Sequence, residues 1–264
     1  MNTSARHLQI VWLYHDLMNL YGDRGNILTL QYRAQLYGLA ARVTGISLGE
    51  EIPADTDIVF FGGGQDQEQQ VVSKDLPHKK AALQRIIEEG GGLLAVCGGY
   101  QLLGSYYQPL EGETIPGLGL LPIYTVAGSR RMIGDLVIED ENGNLVIGFE
   151  NHSGKTYLEK NAGALGAKPL GTVQIGFGNN GEDKTEGIVV RNAIGTYLHG
   201  PALPKNPALT DQLLVAGLRR HGDTQPLGDL SSRGVRLEPQ IETARTMALA
   251  RAQNRKKASL GLRS

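Results

Sequence analysis

The stretch that decides the fold is Leu93-Leu-Ala-Val-Cys-Gly-Gly-Tyr-Gln-Leu-Leu103. Its apolar start predicts a buried strand, its two glycines a sharp turn, and its end a helix. A single cysteine at such a junction is typical of a nucleophile elbow, where a strained turn exposes the side chain and a helix N-terminus favours the thiolate. The alternative is a small buried core residue. The strand–turn–helix context makes Cys97 a candidate nucleophile.

The sequence before this stretch alternates strands and helices. The predicted strands are Leu8–Leu13, Ala41–Ile46 and Asp57–Phe61, followed by Leu93–Val96, and the predicted helices are Gly25–Leu39 and Pro77–Glu89. Strands that alternate with helices in this way indicate a parallel sheet with right-handed crossovers. The fold class is therefore α/β, with a mainly parallel sheet flanked by helices.

The second half of the chain has a different pattern. After Gly117 we predict added short strands, then a helix at Ala208–Arg220. These strands are Met132–Ile138, Leu145–Phe149, Thr172–Phe177, Gly187–Val190 and Gly195–Leu198. Residues 231–264 carry eight basic and two acidic residues, and Glu238–Lys257 has the composition of a helix. We therefore predict a main domain at 1–230 and a basic C-terminal helical extension at 231–264, which either docks on a partner or packs on its own domain.

Composition excludes several classes of protein. The 264 residues carry a formal net charge of -1, so no overall bias toward nucleic acid exists. No apolar run approaches the ~20 residues of a membrane span. We therefore expect a cytoplasmic protein that has no membrane span. One cysteine cannot form an intramolecular disulfide or a multi-thiolate metal site, and we expect no metal in this chain.

A thiolate nucleophile needs a base and donors for a developing oxyanion. His199 follows an apolar strand, where a parallel sheet presents groups to a crevice. His152 also follows a strand and is the rival candidate, with a loop-stabilising role as its simpler interpretation. We expect backbone N–H groups of Gly63, Gly64 and Gly98 to supply the oxyanion site.

The motifs carry a family resemblance to class I glutamine amidotransferases, in the branch of the cobyric acid and cobyrinic acid amide synthases. Three segments resemble that branch, namely 97–101, 148–154 and 195–201. Four more are similar to the GatD family, the amidotransferase subunits of lipid II isoglutaminyl synthase, namely 19–26, 62–69, 134–139 and 176–184. The resemblance implies a flavodoxin-like amidotransferase domain.

The same resemblance implies a chemistry. Cys97 would attack the side-chain amide of glutamine and form a thioester, and His199 would protonate the ammonia and activate water. Families of this class carry a glutamate two residues after the histidine. Pro201 stands there instead, which implies a Cys–His dyad. Arg131 matches the glutamine-binding arginine of the family, whereas Arg130 is expected to be a solvated neighbour.

The expected partner is a Mur-ligase-like synthetase subunit, called MurT in the family. No phosphate-binding loop pattern of the P-loop type occurs in the sequence. We therefore expect no cofactor in this chain, with ATP and Mg on the partner, and the complex would amidate the D-glutamate of lipid II.

Three alternatives stay open. The first is the glutaminase part of a cobyrinic acid-type synthase. Such a part is normally fused to an ATP-using domain, and we expect no room for that domain before Leu8. The second is a non-catalytic amidotransferase-like module that binds a partner. The third is a cysteine hydrolase on a related flavodoxin-like scaffold that acts on peptides.

Overall fold

The computed structural model describes residues 6–20, 22–228, 230 and 238–261, which form two sheets with helices around them. The helices are α1 (Arg24–Leu36), α2 (Asp66–Glu88), α3 (Gly98–Leu103), α4 (Pro207–Arg220) and α5 (Glu238–Gly261). The strands are β1 (His7–Leu13), β2 (Ala40–Ile46), β3 (Ile58–Phe61), β4 (Gly92–Val96), β5 (Tyr106–Gln108), β6 (Ile115–Pro116), β7 (Ile123–Glu139), β8 (Leu145–Leu158), β9 (Ala167–Lys168), β10 (Gly171–Ile175), β11 (Thr185–Glu186), β12 (Ile188–Val190) and β13 (Ala193–Thr196).

The first sheet has the strand order β2-β1-β3-β4-β13-β12-β9. Its first five strands are parallel neighbours, and β12 and β9 pair antiparallel. Every residue of β3 and β4 is buried, as expected for strands covered on both faces. Helix α1 contacts α4, and α2 contacts α3, so helices flank the sheet. The α/β prediction is confirmed, and the carboxyl ends of β3, β4 and β13 meet at one edge.

The second sheet is built on a long antiparallel ribbon of β7 and β8. Its order is β11-β10-β7-β5-β6, with β8 paired to β7. The short strands predicted at Met132 and Leu145 are parts of this ribbon. The pairing register shifts between Ala127 and Met132. Arg130 and Arg131 lie within this irregular segment, and irregularities of this kind re-aim side chains.

Helix α2 begins at Asp66, so the predicted start at Pro77 is wrong. Proline favours the first turn of a helix because it lacks an N–H group, but here the helix continues through it. The earlier start is fixed by a capping box between Gln65 and Glu68. Helix α2 therefore begins almost directly after Gly64, which brings its first turn to the edge of the sheet where Cys97 lies.

The C-terminal helix α5 packs on the chain's own second sheet. Ala252 is buried against β7 and β8. Arg251 and Arg255 both form ion pairs with Asp135 of β7, at 2.5 and 3.2 Å. Two roles were considered for the basic C-terminal extension, namely docking on a partner and packing on its own domain. These contacts show the second. Residues 231–237 lie outside the described part, so the domain boundary near Leu230 stays a prediction.

No described helix is both long and apolar enough to cross a membrane. Within residues 6–20, 22–228 and 238–256, the histidine, cysteine and carboxylate side chains form no group that could hold a metal ion.

Candidate active site

Cys97 lies between β4 and α3 in a conformation that few residues with a side chain adopt. Its φ of 50° and ψ of -109° fall outside the regions favoured for an L residue. Its N–H donates a 3.0 Å hydrogen bond to the Thr196 carbonyl. A Cβ on Gly99 would lie 2.6 Å from the Phe61 carbonyl oxygen, so the turn requires glycine there. The structure therefore has the strained elbow that the sequence predicted.

His199 follows β13 and is completely buried. Its main chain forms a bridge with Phe149 of β8, in which the His199 N–H donates to the Phe149 carbonyl at 2.6 Å. A Cβ placed on Gly63 would lie 3.2 Å from His199 Cε1 and 3.3 Å from Cys97 Cβ. Cys97 and the His199 imidazole therefore meet around Gly63, where a larger residue would force its neighbours to shift.

Asp23 is a third buried side chain at this point, and the sequence reasoning missed it. Its Oδ1 lies 3.6 Å from His199 Nδ1, and its Oδ2 accepts a 2.7 Å hydrogen bond from the Gly63 N–H. Oδ1 is buried and makes no hydrogen bond to any described residue. Asp23 is the N-cap of α1, where a carboxylate ordinarily accepts from its own helix, but no such bond forms. The carboxylate is thus directed at the imidazole rather than at α1.

Pro201, where the family pattern led us to expect a glutamate, packs against the same turn that carries Asp23. A Cβ on Gly25 would lie 2.3 Å from Pro201 Cγ, so the proline ring packs closely on the backbone of residue 25 because that residue is glycine. The arrangement thus differs from an isolated Cys–His dyad. A buried carboxylate lies next to the histidine, and it comes from the turn before α1.

The electrostatics of the site favour a charged imidazole. Burial alone would lower the pKa of His199, but the negative charge of Cys97 and the adjacent Asp23 carboxylate outweigh it and raise the pKa to about 10. The His199 side chain is therefore an imidazolium at neutral pH, next to the Cys97 side chain. This is the protonation state that a cysteine nucleophile needs.

The structure narrows the set of oxyanion donors. The N–H of Gly63 donates to Asp23 Oδ2 in this arrangement, so it is not open to a ligand here. No acceptor among the described residues takes the N–H of Gly64 or Gly98. A Cβ on Gly98 would lie 2.9 Å from Gly64 N, so these two amides are neighbours. Gly64 and Gly98 remain as the predicted donors.

A cavity of about 450 Å³ opens over Cys97, and Arg131 lines it. The Arg131 Nε donates a 2.6 Å hydrogen bond to Asn151 Oδ1, which holds the guanidinium against the β7–β8 ribbon. Arg130 lies elsewhere, with its guanidinium 5.1 Å from the centre of the Phe177 ring. The structure thus brings Arg131, and not Arg130, to the cavity over Cys97.

His152 also lines this cavity, but its ring is held by structural contacts. Its Nδ1 lies 2.8 Å from the Gly154 carbonyl oxygen, and its Nε2 lies 3.6 Å from Glu150 Oε2. The ring also stacks on Tyr197, with centroids 3.5 Å apart and planes 3° from parallel. These contacts fit the loop-stabilising interpretation better than that of a base.

A strained cysteine elbow next to a buried histidine, below a cavity lined by an arginine at the edge of a parallel sheet, is the arrangement of a thiol-dependent amidotransferase site. Residues 9–207 match the sequence model of the CobB/CobQ-like glutamine amidotransferase domain, and the chain belongs to that family. Two solved structures share the fold at low identity. They are PurLQS from Thermotoga maritima, at a TM-score of 0.53 and 14% identity over 82% of this chain and 99% of that one, and a glutamine amidotransferase, at 0.51 and 17% over 78% and 98%.

Within the family, the chain belongs with the GatD subunits. It is 44% identical over 214 residues to the lipid II isoglutaminyl synthase (glutamine-hydrolyzing) subunit GatD of Staphylococcus aureus strain N315, covering 80% of this chain and 85% of the relative. The GatD subunit of Streptococcus pneumoniae R6 is also 44% identical, over 81% of each chain. A cobyric acid synthase of Rhodobacter capsulatus is 29% identical, over 80% of this chain and only 43% of its own length.

Proposed function

We propose that this chain is the glutaminase subunit of a lipid II isoglutaminyl synthase, which releases ammonia from glutamine for a Mur-ligase-like partner in the cytoplasm. The observation that carries the proposal is the meeting of Cys97 and His199 beneath a cavity lined by Arg131. The 44% identity to two GatD subunits supports the choice of acceptor.

The chemistry begins with the bound glutamine. The Cys97 thiolate attacks the side-chain carbonyl carbon, and the oxyanion that forms accepts from the N–H groups of Gly64 and Gly98. The His199 imidazolium protonates the amide nitrogen, the C–N bond breaks, and ammonia leaves a γ-glutamyl thioester on Cys97. The neutral imidazole then takes a proton from water, whose oxygen attacks the thioester. Glutamate and the free thiol result.

Asp23 supports both steps through His199. A carboxylate facing Nδ1 stabilises the imidazolium and keeps Nε2 available for the proton transfers. It also holds the Gly63 N–H, and so fixes the loop that precedes Gly64. We therefore assign Asp23 the positioning role that a glutamate after the histidine fills in the class I pattern.

The partner follows from chemical balance. Joining ammonia to a carboxylate requires an activated acyl group, and no P-loop pattern for a nucleotide occurs in this sequence. A second subunit must therefore use ATP, with Mg, to activate the α-carboxyl of the D-glutamate in the lipid II stem peptide. The relatives' description as subunits of a synthase supports this division. A cobyrinic acid-type role has weaker support, because those relatives are less similar and about twice as long.

The test is glutamine hydrolysis by the purified chain, alone and with a co-expressed MurT-type subunit, followed by mass analysis of lipid II. We expect glutamate release that the Cys97→Ser variant lacks, since a hydroxyl is a far poorer nucleophile than a thiolate, and amidated lipid II only from the complex. Peptide hydrolysis in place of glutamine hydrolysis would support the peptidase alternative. Lipid II amidation by the purified chain alone would refute the division between two subunits.

A further inference from the structure

The cavity over Cys97 contains one charge that the proposed mechanism does not use. Among the described residues that line it, Arg131 is the one guanidinium and Asp66 is the one carboxylate. Glutamine is a zwitterion, and its α-carboxylate and α-ammonium both lose hydration when it binds. An ion that is desolvated without a partner costs affinity. With Arg131 matched to the carboxylate, the ammonium needs an acceptor.

Asp66 is held in place for this task from outside its own helix. The Tyr107 hydroxyl donates to Asp66 Oδ1 at 3.4 Å. Tyr107 is almost fully buried and lines the same cavity. Burial, followed by the charge of Asp66, raises the pKa of Tyr107 above its usual value, so the phenol stays protonated and keeps donating. Asp66 is itself exposed and lines the cavity, so its carboxylate is accessible to a ligand there.

A simple helix-dipole role does not account for this arrangement. A carboxylate in the first turn of a helix is stabilising wherever it points, but the capping of α2 is already supplied by Gln65 and Glu68. Asp66 is the first-turn carboxylate of α2 that lines the cavity, and Glu68 does not line it. The hydrogen bond from Tyr107 holds the Asp66 carboxylate at the cavity.

We infer that Asp66 accepts the α-ammonium group of glutamine and so makes the site selective for α-amino acids. This inference rests on the proposed function, because it names the part of glutamine that one wall of the cavity recognises. Together, Asp66 and Arg131 distinguish the free amino acid from amides that carry only one of its two charges.

The experiment compares three reagents that alkylate Cys97, the single cysteine of the chain. They are the diazo-ketone analogue of glutamine, the same diazo-ketone without its α-amino group, and iodoacetamide. In the Asp66→Asn protein we expect the glutamine analogue to react about tenfold more slowly or worse, because a hydrogen bond between charged groups is lost. The deaminated analogue and iodoacetamide should react within about twofold of the wild-type rate.

Two control variants complete the test. Glu88→Gln removes a charge from the far end of the same helix, where Glu88 is exposed and bonds Gln84, and it should change none of the three rates. Arg131→Gln should slow both diazo-ketones. An unchanged rate of Asp66→Asn with the glutamine analogue would overturn the inference, and so would equal slowing of all three reagents. A wild-type protein that shows no preference for the glutamine analogue over iodoacetamide would instead contradict the proposed glutaminase function.

Discussion

Replacing Asp23 by asparagine separates its charge from its backbone contact. The asparagine Oδ1 still accepts from the Gly63 N–H, so the loop before Gly64 keeps its anchor. The asparagine Nδ2 takes the place of the carboxylate oxygen that lies 3.6 Å from His199 Nδ1, and it is a hydrogen-bond donor. That donor favours the tautomer with the proton on Nε2, the wrong one for accepting a proton from water.

The expected loss follows from the distance. Coulomb's law with an effective dielectric constant of about 20 gives an attraction of roughly 4 to 5 kcal/mol at this separation, and the cost of desolvating the carboxylate offsets much of it. We therefore expect kcat to fall by about tenfold to 100-fold, equivalent to roughly 1.4 to 2.7 kcal/mol. The KM for glutamine should change by less than about threefold, because Asp23 does not line the cavity.

The pH dependence gives the sharper readout. His199 has a raised pKa of about 10, so its imidazolium is present below that pH and is lost as the pH rises through it. Removing the Asp23 charge lowers this pKa, and the alkaline limb of the kcat profile should move down by about one to two pH units. Asp16→Asn, an exposed carboxylate of the neighbouring turn, is the control and should leave the profile unchanged. A lower kcat with an unshifted alkaline limb would refute the assignment of Asp23 to His199.

The remaining predictions concern the base, the substrate clamp and the stability of the fold. His199→Ala should lower glutamine turnover by about 100-fold to 10,000-fold through lost proton transfer, and His152→Ala should lower it less; steady-state kinetics giving the reverse ranking would show that His152 is the base. Arg131→Ala should weaken glutamine binding by about 2 kcal/mol, or roughly 30-fold in KM, and Arg130→Ala should raise KM less. An unchanged KM for Arg131→Ala would contradict the role of Arg131 in binding glutamine. The pKa of His199 is raised on folding, so the charged imidazole stabilises the native state fully below pH ~6.5, and this stabilisation is lost as the pH rises through about 10. The free energies of unfolding in urea of wild type and Asp23→Asn should therefore differ most near pH ~6.5 and least near pH 10.

The positions of Cys97 and His199 were predictable because local sequence determines them. Cys97 lies in a strand–glycine–helix stretch that only a tight turn can satisfy, and His199 ends an apolar strand that parallel pairing brings beside β4. Both signals come from the residues next to them in the chain. The parallel core was predictable for the same reason, because its strands are short apolar runs between helices.

Asp23 was not predictable from its neighbours. It occupies a helix N-cap, where aspartate is favoured for purely local reasons, and its contact to His199 depends on how α1 is placed over the sheet. The Gly63 N–H donates to Asp23 as well, so the placement of α1 also decides which glycine amides stay open to a ligand. A glycine run predicts a close backbone approach, but not which amide remains for a ligand.

Long-range packing also decided two other features. The polar first half of α2 contains buried positions such as Gln69 and Val72, but the proline that follows favours a later start. The basic residues of α5 have the composition of a surface for a partner, and the structure pairs Arg251 with Asp135 of the chain's own ribbon. In both cases the outcome depends on a tertiary neighbour that composition does not specify.

Ammonium rescue tests the central claim most directly. The Cys97→Ala subunit, assembled with its MurT-type partner, ATP, Mg and lipid II, should produce no isoglutamine when glutamine is the nitrogen source. The same complex should produce it at a rate close to wild type when ammonium salt replaces glutamine, because only the release of ammonia is lost. If ammonium fails to restore lipid II amidation in an intact complex, or if the Cys97→Ala complex still uses glutamine, Cys97 is not the residue through which this subunit supplies ammonia.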